Sequence, residues 1–212
     1  MSFSLNKEIN DLAHNLCIYL NNKQLNEIQI HAGLLETWNR RMNLTAIQEP
    51  EEIARRHFLE GLLAGEWLRQ SNAEGSFVDL GSGNGFPAVP MAVVCRQARP
   101  LILVEVSEKR AAFLRALVRD LGWSDARIEV RRVKQGSDLV DLRCRLFTSR
   151  GVAISELLQE GLPFLEPGGR CVLFGRREEL HKDYERIPGL LTLQEEVSLP
   201  GRESAILHLL KS

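Results

Sequence analysis

The chain has 212 residues, of which 44% are hydrophobic and 26% are charged, and its formal net charge is −1. This composition is typical of one globular α/β domain with an appendage, and the low net charge excludes a uniformly basic nucleic-acid binder. No apolar run approaches the ~18 residues of a membrane span, and the start lacks the pattern of a signal peptide. We therefore expect a cytoplasmic protein.

The first 70 residues are predicted to form a helical extension, because apolar residues recur there at steps of three and four. The first helix carries Leu5, Ile9, Leu12, Leu16 and Leu20. The second carries Leu25, Ile28, Leu35, Trp38 and Met42. The third follows Pro50, a residue suited to a helix start, and carries Ile53, His57, Leu62, Glu66 and Trp67.

From Ser76 onward, short apolar strands alternate with helical segments. The predicted strands are Phe77–Leu80, Leu101–Glu105, Ile128–Val130, Cys144–Thr148, Arg170–Phe174, Leu190–Leu199 and Ala205–Leu210. The predicted helices are Pro87–Arg96, a helix capped by Ser107 that ends near Gly122, and Val152–Leu165. Turns are predicted at Pro167-Gly168-Gly169 and Pro200-Gly201.

This alternation predicts a Rossmann-like, doubly wound parallel sheet over residues 71–212. The last two strands follow each other with only a short link. A short link cannot make a parallel crossover, so one of these strands must run antiparallel.

A glycine-rich loop, VDLGSGNGFP, follows the first predicted strand and contains Gly81, Gly83 and Gly85. At this point of a doubly wound sheet, bare backbone lets a ligand approach the free N–H groups of the following helix. Glu105 closes the second strand about 20 residues later, where a carboxylate can accept hydrogen bonds from ribose hydroxyls. Together, the glycine loop and Glu105 predict a ribose-bearing ligand. The alternative interpretation of Glu105 is a solvated charge at a strand end.

The residues around the loop favour S-adenosylmethionine over a nucleotide phosphate. Phe86 occupies the third glycine position of the dinucleotide fingerprint, and no Gly-Lys-Ser/Thr of a phosphate loop follows. Asp79 adds a carboxylate that suits a cationic ligand with an amino group and repels a pyrophosphate. A turn or capping role is the competing interpretation of Asp79.

The sequence offers no obvious catalytic base. A methyl group on a sulfonium moves by in-line displacement, for which the enzyme mainly supplies proximity and orientation. The Asn/Asp-Pro-Pro-Tyr/Phe stretch that holds an exocyclic amine is missing, and no cysteine follows a proline as in pyrimidine carbon-5 methylation. An acceptor with a free lone pair, such as guanine N7, needs no general base and therefore fits the absence of these residues.

Several short basic clusters could contact RNA phosphates, although solvated surface is their alternative interpretation. They are Arg40-Arg41, Arg55-Arg56-His57, Lys109-Arg110, Arg131-Arg132 with Lys134, and Arg176-Arg177. The four cysteines, Cys17, Cys95, Cys144 and Cys171, lie far apart beside apolar residues. We expect buried reduced thiols and neither a metal site nor a disulfide.

From about Trp38 onward the chain resembles a known family in the order and spacing of its motifs. The motifs are Trp38-Asn39, Asn43-Leu44-Thr45, Arg56-His57-Phe58-Leu59-Glu60, the loop GSGNGFPAVP, Lys109-Arg110 with Phe113-Leu114, and Ser149-Arg150. They resemble the bacterial small-subunit (16S) ribosomal RNA guanine-N7 methyltransferases, also called glucose-inhibited division protein B.

The resemblance implies a class I methyltransferase fold with an N-terminal helical extension, S-adenosylmethionine as cofactor, and guanine N7 of small-subunit rRNA as acceptor. It places cofactor contacts at Gly81, Phe86, Val133, Lys134 and Arg150, with Arg150 near the acceptor. Together with the loop reasoning, the expected cofactor set is Asp79, Gly81, Gly83, Gly85, Phe86, Glu105, Val133, Lys134 and Arg150. The expected RNA contacts are Arg55, Arg56, His57, Lys109, Arg110 and Arg176. We expect a monomer that acts on ribosomal RNA or the small ribosomal subunit.

The chain departs from the family pattern at four places. Lys134 stands where an acidic residue is usual in the family. Gly151 follows Arg150, where the family usually has an alanine. Phe174-Gly175 replaces Lys-Gly, and Arg202-Glu203-Ser204 replaces Glu-Arg-His. These departures leave open a methyltransferase with another RNA or a small-molecule acceptor, or a ribosome-associated RNA-binding protein without transfer activity. A dehydrogenase is a more distant alternative.

Overall fold

The computed structural model describes residues 2–47, 49–151, 162–186, 189–198 and 204–211. Within these ranges no helix has the length and apolar character needed to cross a membrane.

The N-terminal part is helical, as predicted. Helix α1 spans Ser2–Asn15, α2 spans Asn22–Met42, and α3 (Pro50–Ile53) continues through a π-helix (Ala54–Leu59) into α4 (Glu60–Gln70). Asn21 and Gln24 form a reciprocal capping box at the start of α2, which satisfies two backbone N–H groups.

The first helix ends at Asn15, earlier than the predicted stripe of apolar residues that ran to Leu20. The backbone turns into the left-handed region at Cys17, with φ 57°, so Leu16 is 43% exposed and Leu20 lies beyond the helix. Cys17 is likewise exposed rather than buried, whereas Cys95, Cys144 and Cys171 are buried as expected.

The second part of the chain forms one seven-stranded sheet in the order β3-β2-β1-β4-β5-β7-β6. The strands are β1 (Phe77–Leu80), β2 (Leu101–Glu105), β3 (Arg127–Val130), β4 (Cys144–Arg150), β5 (Leu165–Arg176), β6 (Leu191–Ser198) and β7 (Ser204–Lys211). Strands β1 to β5 pair in parallel, and β7 runs antiparallel between β5 and β6. The prediction of a doubly wound sheet with its last strand antiparallel is confirmed.

The helices of the sheet domain are α5 (Ala88–Val94), α6 (Glu108–Asp120) and α7 (Arg177–Glu185), with a 3₁₀ segment at Gly136–Leu142. Ser107 caps α6 as predicted, since its side chain accepts a hydrogen bond from the Arg110 N–H. The sequence reasoning missed α7, whose largely charged sequence buries only Leu180 and therefore carries little apolar periodicity.

Strand β5 begins at Leu165, five residues earlier than predicted, and includes the Pro167-Gly168-Gly169 turn as an irregularity. Leu165 pairs with Cys144 and Arg170 with Leu146, so the extra residues bulge out of the ladder. The predicted helix over 152–165 lies outside the described residues up to 161, and it is wrong over 162–165, where a turn leads into β5. The turn at 200–201 also lies outside them.

A continuous apolar core joins the N-terminal helices to one face of the sheet. Leu5, Ile28, Phe58 and Leu62 belong to the same buried cluster as Phe77 of β1. A second cluster covers the other face of the sheet, where Val78 and Phe147 are buried. The N-terminal helices therefore share a core with the strands that carry the glycine loop.

Candidate functional site

The glycine loop leaves the carboxyl end of β1 and leads into α5. Gly81, Gly83 and Gly85 have φ angles of 75°, 53° and 81°, a left-handed conformation that favours glycine. The three glycines therefore allow a backbone conformation that other residues adopt only with strain.

Glu105, at the end of β2, is 3% exposed and holds this loop. Its Oε2 accepts a hydrogen bond from the Gly83 N–H at 2.8 Å, and its Oε1 accepts one from the Ser107 N–H at 2.8 Å. It is therefore not a solvated charge. Each carboxylate oxygen can accept a second hydrogen bond, so capacity for ribose hydroxyls remains beside the loop.

The glycines differ in what surrounds them. A Cβ built on Gly83 would meet only the Gly81 carbonyl oxygen, at 3.8 Å. A Cβ built on Gly85 would approach Val89 at 3.0 Å, Leu117 at 3.2 Å and His31 at 3.3 Å. Gly85 is thus required by packing inside the protein, whereas Gly83 has open space on its side-chain face.

Asp79 is completely buried in β1, and neither of its carboxyl oxygens has a hydrogen-bond partner among the described residues. The neighbouring Ser82 hydroxyl donates instead to the Asp79 backbone carbonyl, at 3.0 Å. Burial raises the pKa of Asp79 to about 7, although the Arg150 charge opposes the rise. A buried carboxyl without a partner is costly, and a ligand ammonium would relieve that cost.

Two contacts support the back of the loop, one from α2 and one from the connection after it, and both were missed from the sequence. His31 of α2 is completely buried and its Nε2 lies 2.7 Å from the Asn84 carbonyl oxygen. The Asn84 side chain donates to the Leu44 carbonyl at 2.7 Å. Burial lowers the pKa of His31 to about 4, so this ring is neutral at physiological pH and Nε2–H is the donor. The available signal was the position of His31 between Ile28 and Leu35 in the buried stripe of α2.

Phe86 is buried between two imidazole rings and precedes a cis peptide bond to Pro87. His31 stacks on one side, with ring centroids 4.3 Å apart, and His57 also stacks on Phe86 at 4.9 Å. The Phe58 ring contacts Phe86 edge-on at 4.9 Å. The Phe86 side chain therefore packs against the N-terminal helices, which leaves its backbone for any contact with a cofactor.

Arg150, at the end of β4, reaches back to the π-helix and α4. Its Nη1 donates to the Arg56 carbonyl at 2.8 Å and to Glu60 Oε2 at 3.1 Å, and its Nη2 lies 3.3 Å from His57 Nδ1. The structure therefore brings three of the predicted residues, Arg56, His57 and Arg150, into direct contact.

Val133 and Lys134 lie in the connection after β3. Val133 packs against the second core cluster, whereas the Lys134 side chain is exposed. Asp138 accepts hydrogen bonds from the backbone N–H groups of Lys134 and Gln135, at 2.8 and 3.2 Å. The backbone at Lys134 is thus held in place although no carboxylate stands at this position.

The predicted RNA-contacting residues fall into two groups. Arg56, His57 and Arg176 line a groove of about 380 Å³, together with Glu60, Arg150 and Phe174. Arg55 pairs on the surface with Glu51 at 2.8 Å, while Lys109 and Arg110 are exposed in the first turn of α6 and do not line this groove.

A sequence profile described as "rRNA small subunit methyltransferase G" matches residues 24–201. The chain belongs to this family. Among its relatives, ribosomal RNA small subunit methyltransferase G of Chloroflexus aggregans is 33% identical over 88% of this chain and 81% of its own length. The protein of the same name from Roseiflexus sp. is 34% identical over 87% of this chain and 81% of its own length.

Solved structures agree with the fold. Magnesium protoporphyrin IX methyltransferase from Synechocystis PCC 6803, determined with bound SAM, matches with a TM-score of 0.61 and 14% identity over 92% of this chain and 99% of its own. TrmN from Thermus thermophilus matches with a TM-score of 0.56 and 21% identity over 75% of this chain and 53% of its own. Together with the family, these neighbours assign the sheet to the class I methyltransferase fold.

Proposed function

We propose that the protein transfers a methyl group from S-adenosylmethionine to N7 of a guanine in small-subunit ribosomal RNA. The observation that carries this function is family membership over most of the chain, joined to a glycine loop fastened by the carboxylate of Glu105. When bound, the cofactor supplies an electrophilic methyl group. The chain's own residues bind and orient the donor and the acceptor.

The proposed cofactor site has two ends. Glu105 receives the ribose hydroxyls, and the connection at Val133 and Lys134 contacts the adenine through backbone. Asp79, in the strand directly before the loop, would accept from a ligand ammonium, which fits the lack of a hydrogen-bond partner for its carboxyl oxygens among the described residues. Gly81, Gly83, Gly85 and the Phe86 backbone form the wall between these parts.

The proposed RNA surface consists of Arg55, Arg56, Lys109, Arg110 and Arg176. Binding through these side chains depends on phosphate neutralisation, so we expect the affinity for RNA to fall steeply as salt rises. We further propose that the protein is a cytoplasmic monomer, made of a helical extension over residues 1–70 and a cofactor-binding domain over 71–212.

The function is tested by methyl transfer from tritiated S-adenosylmethionine to small ribosomal subunits that lack the modification. Chain cleavage at 7-methylguanosine then locates the product. We expect label at a single guanine with the wild-type chain. We expect at least ~10-fold weaker cofactor binding with Glu105→Gln, because an amide cannot accept from both backbone N–H groups and both ribose hydroxyls.

Two other outcomes of this experiment would each support a different function. Cofactor binding without label on ribosomal subunits would move the acceptor to another RNA or a small molecule. Salt-sensitive RNA binding without cofactor binding would indicate an RNA-binding protein that has lost transfer activity.

A further inference from the structure

His57 contacts Arg150 in a way that determines which of its ring nitrogens carries the proton. An arginine side chain has only hydrogen-bond donors, so the His57 Nδ1 at 3.3 Å from Arg150 Nη2 must be the acceptor. The proton of the neutral ring then lies on Nε2. Nε2 is 3.1 Å from the Thr45 hydroxyl oxygen, which can accept it.

The surroundings of His57 fit this tautomer. The Thr45 hydroxyl oxygen also accepts from the Ile47 N–H at 3.1 Å, and a hydroxyl oxygen has two lone pairs for these two donors. The ring plane is set by stacking on Phe86, at 16° between the planes. Both the position of the ring and the position of its proton are therefore defined by neighbours on other elements.

Arg150 donates its hydrogen bonds to the N-terminal part of the chain. Besides His57, its acceptors are the Arg56 carbonyl and the Glu60 carboxylate, both in the same continuous helical segment. The π-helix brings residues 56 and 57 to Arg150, and such wide turns occur often at functional sites. The Arg150 side chain is still 23% exposed, and it lines the groove with Phe174 and Arg176.

We propose that His57 is a positioning residue, which as the neutral Nε2–H tautomer holds the Arg150 guanidinium at the groove where the acceptor base binds. This inference rests on the proposed function, since it takes the groove as the acceptor site. Guanine N7 is inaccessible to side chains inside an A-form helix, so the target base must leave its stack and enter a pocket beside the methyl donor. A fixed cation in that pocket orients the incoming nucleotide.

A proton on Nδ1 would undo this arrangement, because it would remove the acceptor and set a hydrogen-bond donor against the Arg150 guanidinium. The Nδ1–H tautomer is therefore incompatible with the contact between His57 and Arg150.

Two substitutions separate positioning from packing. His57→Asn keeps an acceptor oxygen near the Nδ1 position but loses the ring and cannot titrate. His57→Phe keeps the ring on Phe86 but loses both nitrogens. We expect His57→Phe to lower kcat for ribosomal subunits on the order of 10-fold to 100-fold, with the Kd for S-adenosylmethionine within ~3-fold of wild type.

The conservative variant completes the test. We expect His57→Asn to recover most of the activity lost in His57→Phe. His14→Asn, at an exposed histidine of α1, serves as the control and should keep the wild-type activity. A packing role predicts the reverse order, with His57→Asn the weaker enzyme, and that order would overturn the proposal.

A spectroscopic measurement keeps this inference distinct from the proposed function. Nitrogen-15 NMR of the histidine rings, with His57 assigned by comparison with His57→Asn, should report the Nε2–H tautomer near neutral pH. If wild type methylates no RNA, the proposed function fails, and this spectrum alone decides whether His57 holds Arg150. A proton on Nδ1 would overturn the proposal whatever the activity.

Discussion

The two sides of the candidate site are built by different kinds of contact. On the glycine-loop side, backbone N–H groups of Gly83 and Ser107 meet the Glu105 carboxylate, and all three residues belong to the first strand–helix–strand unit and the turn after it. On the groove side, Arg150 is held by Arg56, His57 and Glu60, which lie 90 or more residues away in the chain. The first side is local and depends on main-chain donors; the second depends on tertiary packing.

This difference shows which changes each side can tolerate. Main-chain donors do not depend on the identity of the loop residues, provided that the left-handed backbone remains possible. The groove side instead loses its geometry whenever the N-terminal helices shift, because their side chains supply the acceptors for Arg150. Substitutions on either side of the site can therefore distinguish the two kinds of contact.

The largest effect is expected for Asp79→Asn, beneath the glycine loop. Burial raises the pKa of Asp79 from 3.8 to about 7, so the folded protein retains a proton that the unfolded chain has released. The free energy of unfolding should therefore fall as pH rises from about 4 to about 7, by on the order of 4 kcal/mol. Asp79→Asn should remove this decline.

Urea denaturation of wild type and Asp79→Asn at several pH values measures this pH dependence of the free energy of unfolding. The difference in stability between variant and wild type should be small near pH 4 and large near pH 8. A difference that does not change with pH would mean that Asp79 is ionised in the folded protein, and would contradict the effect of burial.

The next effect distinguishes the two glycines of the loop. Gly85→Ala should destabilise the protein by about 3 kcal/mol, because the methyl group meets three neighbours at 3.0 to 3.3 Å in a left-handed backbone. Gly83→Ala should cost about 1 kcal/mol, since only the backbone is strained. It should nevertheless weaken cofactor binding at least ~10-fold, because the added methyl group would occupy the open space beside the loop that we propose for the cofactor.

Thermal unfolding and calorimetric titration with S-adenosylmethionine measure the two quantities separately. Equal losses of stability in both variants would contradict the packing difference. Unchanged cofactor affinity in Gly83→Ala would show that the cofactor does not approach this face.

The smallest of these effects concerns the attachment of α2 to the sheet domain. Glu27 is 3% exposed and accepts two hydrogen bonds from Arg96, at 2.9 and 3.0 Å, and one from the Trp123 indole at 3.1 Å. Glu27→Gln should destabilise the protein by about 2 kcal/mol, because charge-assisted hydrogen bonds are lost.

Glu36→Gln on the same helix is the matched control. Glu36 pairs with Arg40 within the helix, and the Arg40 side chain is 72% exposed, so we expect a change of about 0.5 kcal/mol or less. If both variants unfold at the same denaturant concentration, the attachment of α2 does not depend on Glu27. The Glu27 variant should also lose more transfer activity than stability alone explains, since α2 carries His31 to the glycine loop.

The strands, their order along the chain and the glycine loop could be predicted from the sequence because their signals are local. Apolar periodicity and turn residues act over a few positions, and the prediction of an antiparallel last strand needed only a short link between two strands. Helix α7 was missed because its largely charged sequence buries only Leu180 and so carries little apolar periodicity.

By itself the sequence determined the fold class, the family motifs and the candidate residues Asp79, Glu105 and Arg150. Only the tertiary structure decided what these side chains contact. Glu105 accepts from backbone N–H groups, Arg150 contacts both His57 and Glu60, and the Asp79 carboxyl has no hydrogen-bond partner among the described residues. It alone also brought His31 to the loop and distinguished Gly85 from Gly83. Local patterns specify elements, whereas burial and contacts between distant elements exist only after the chain has packed.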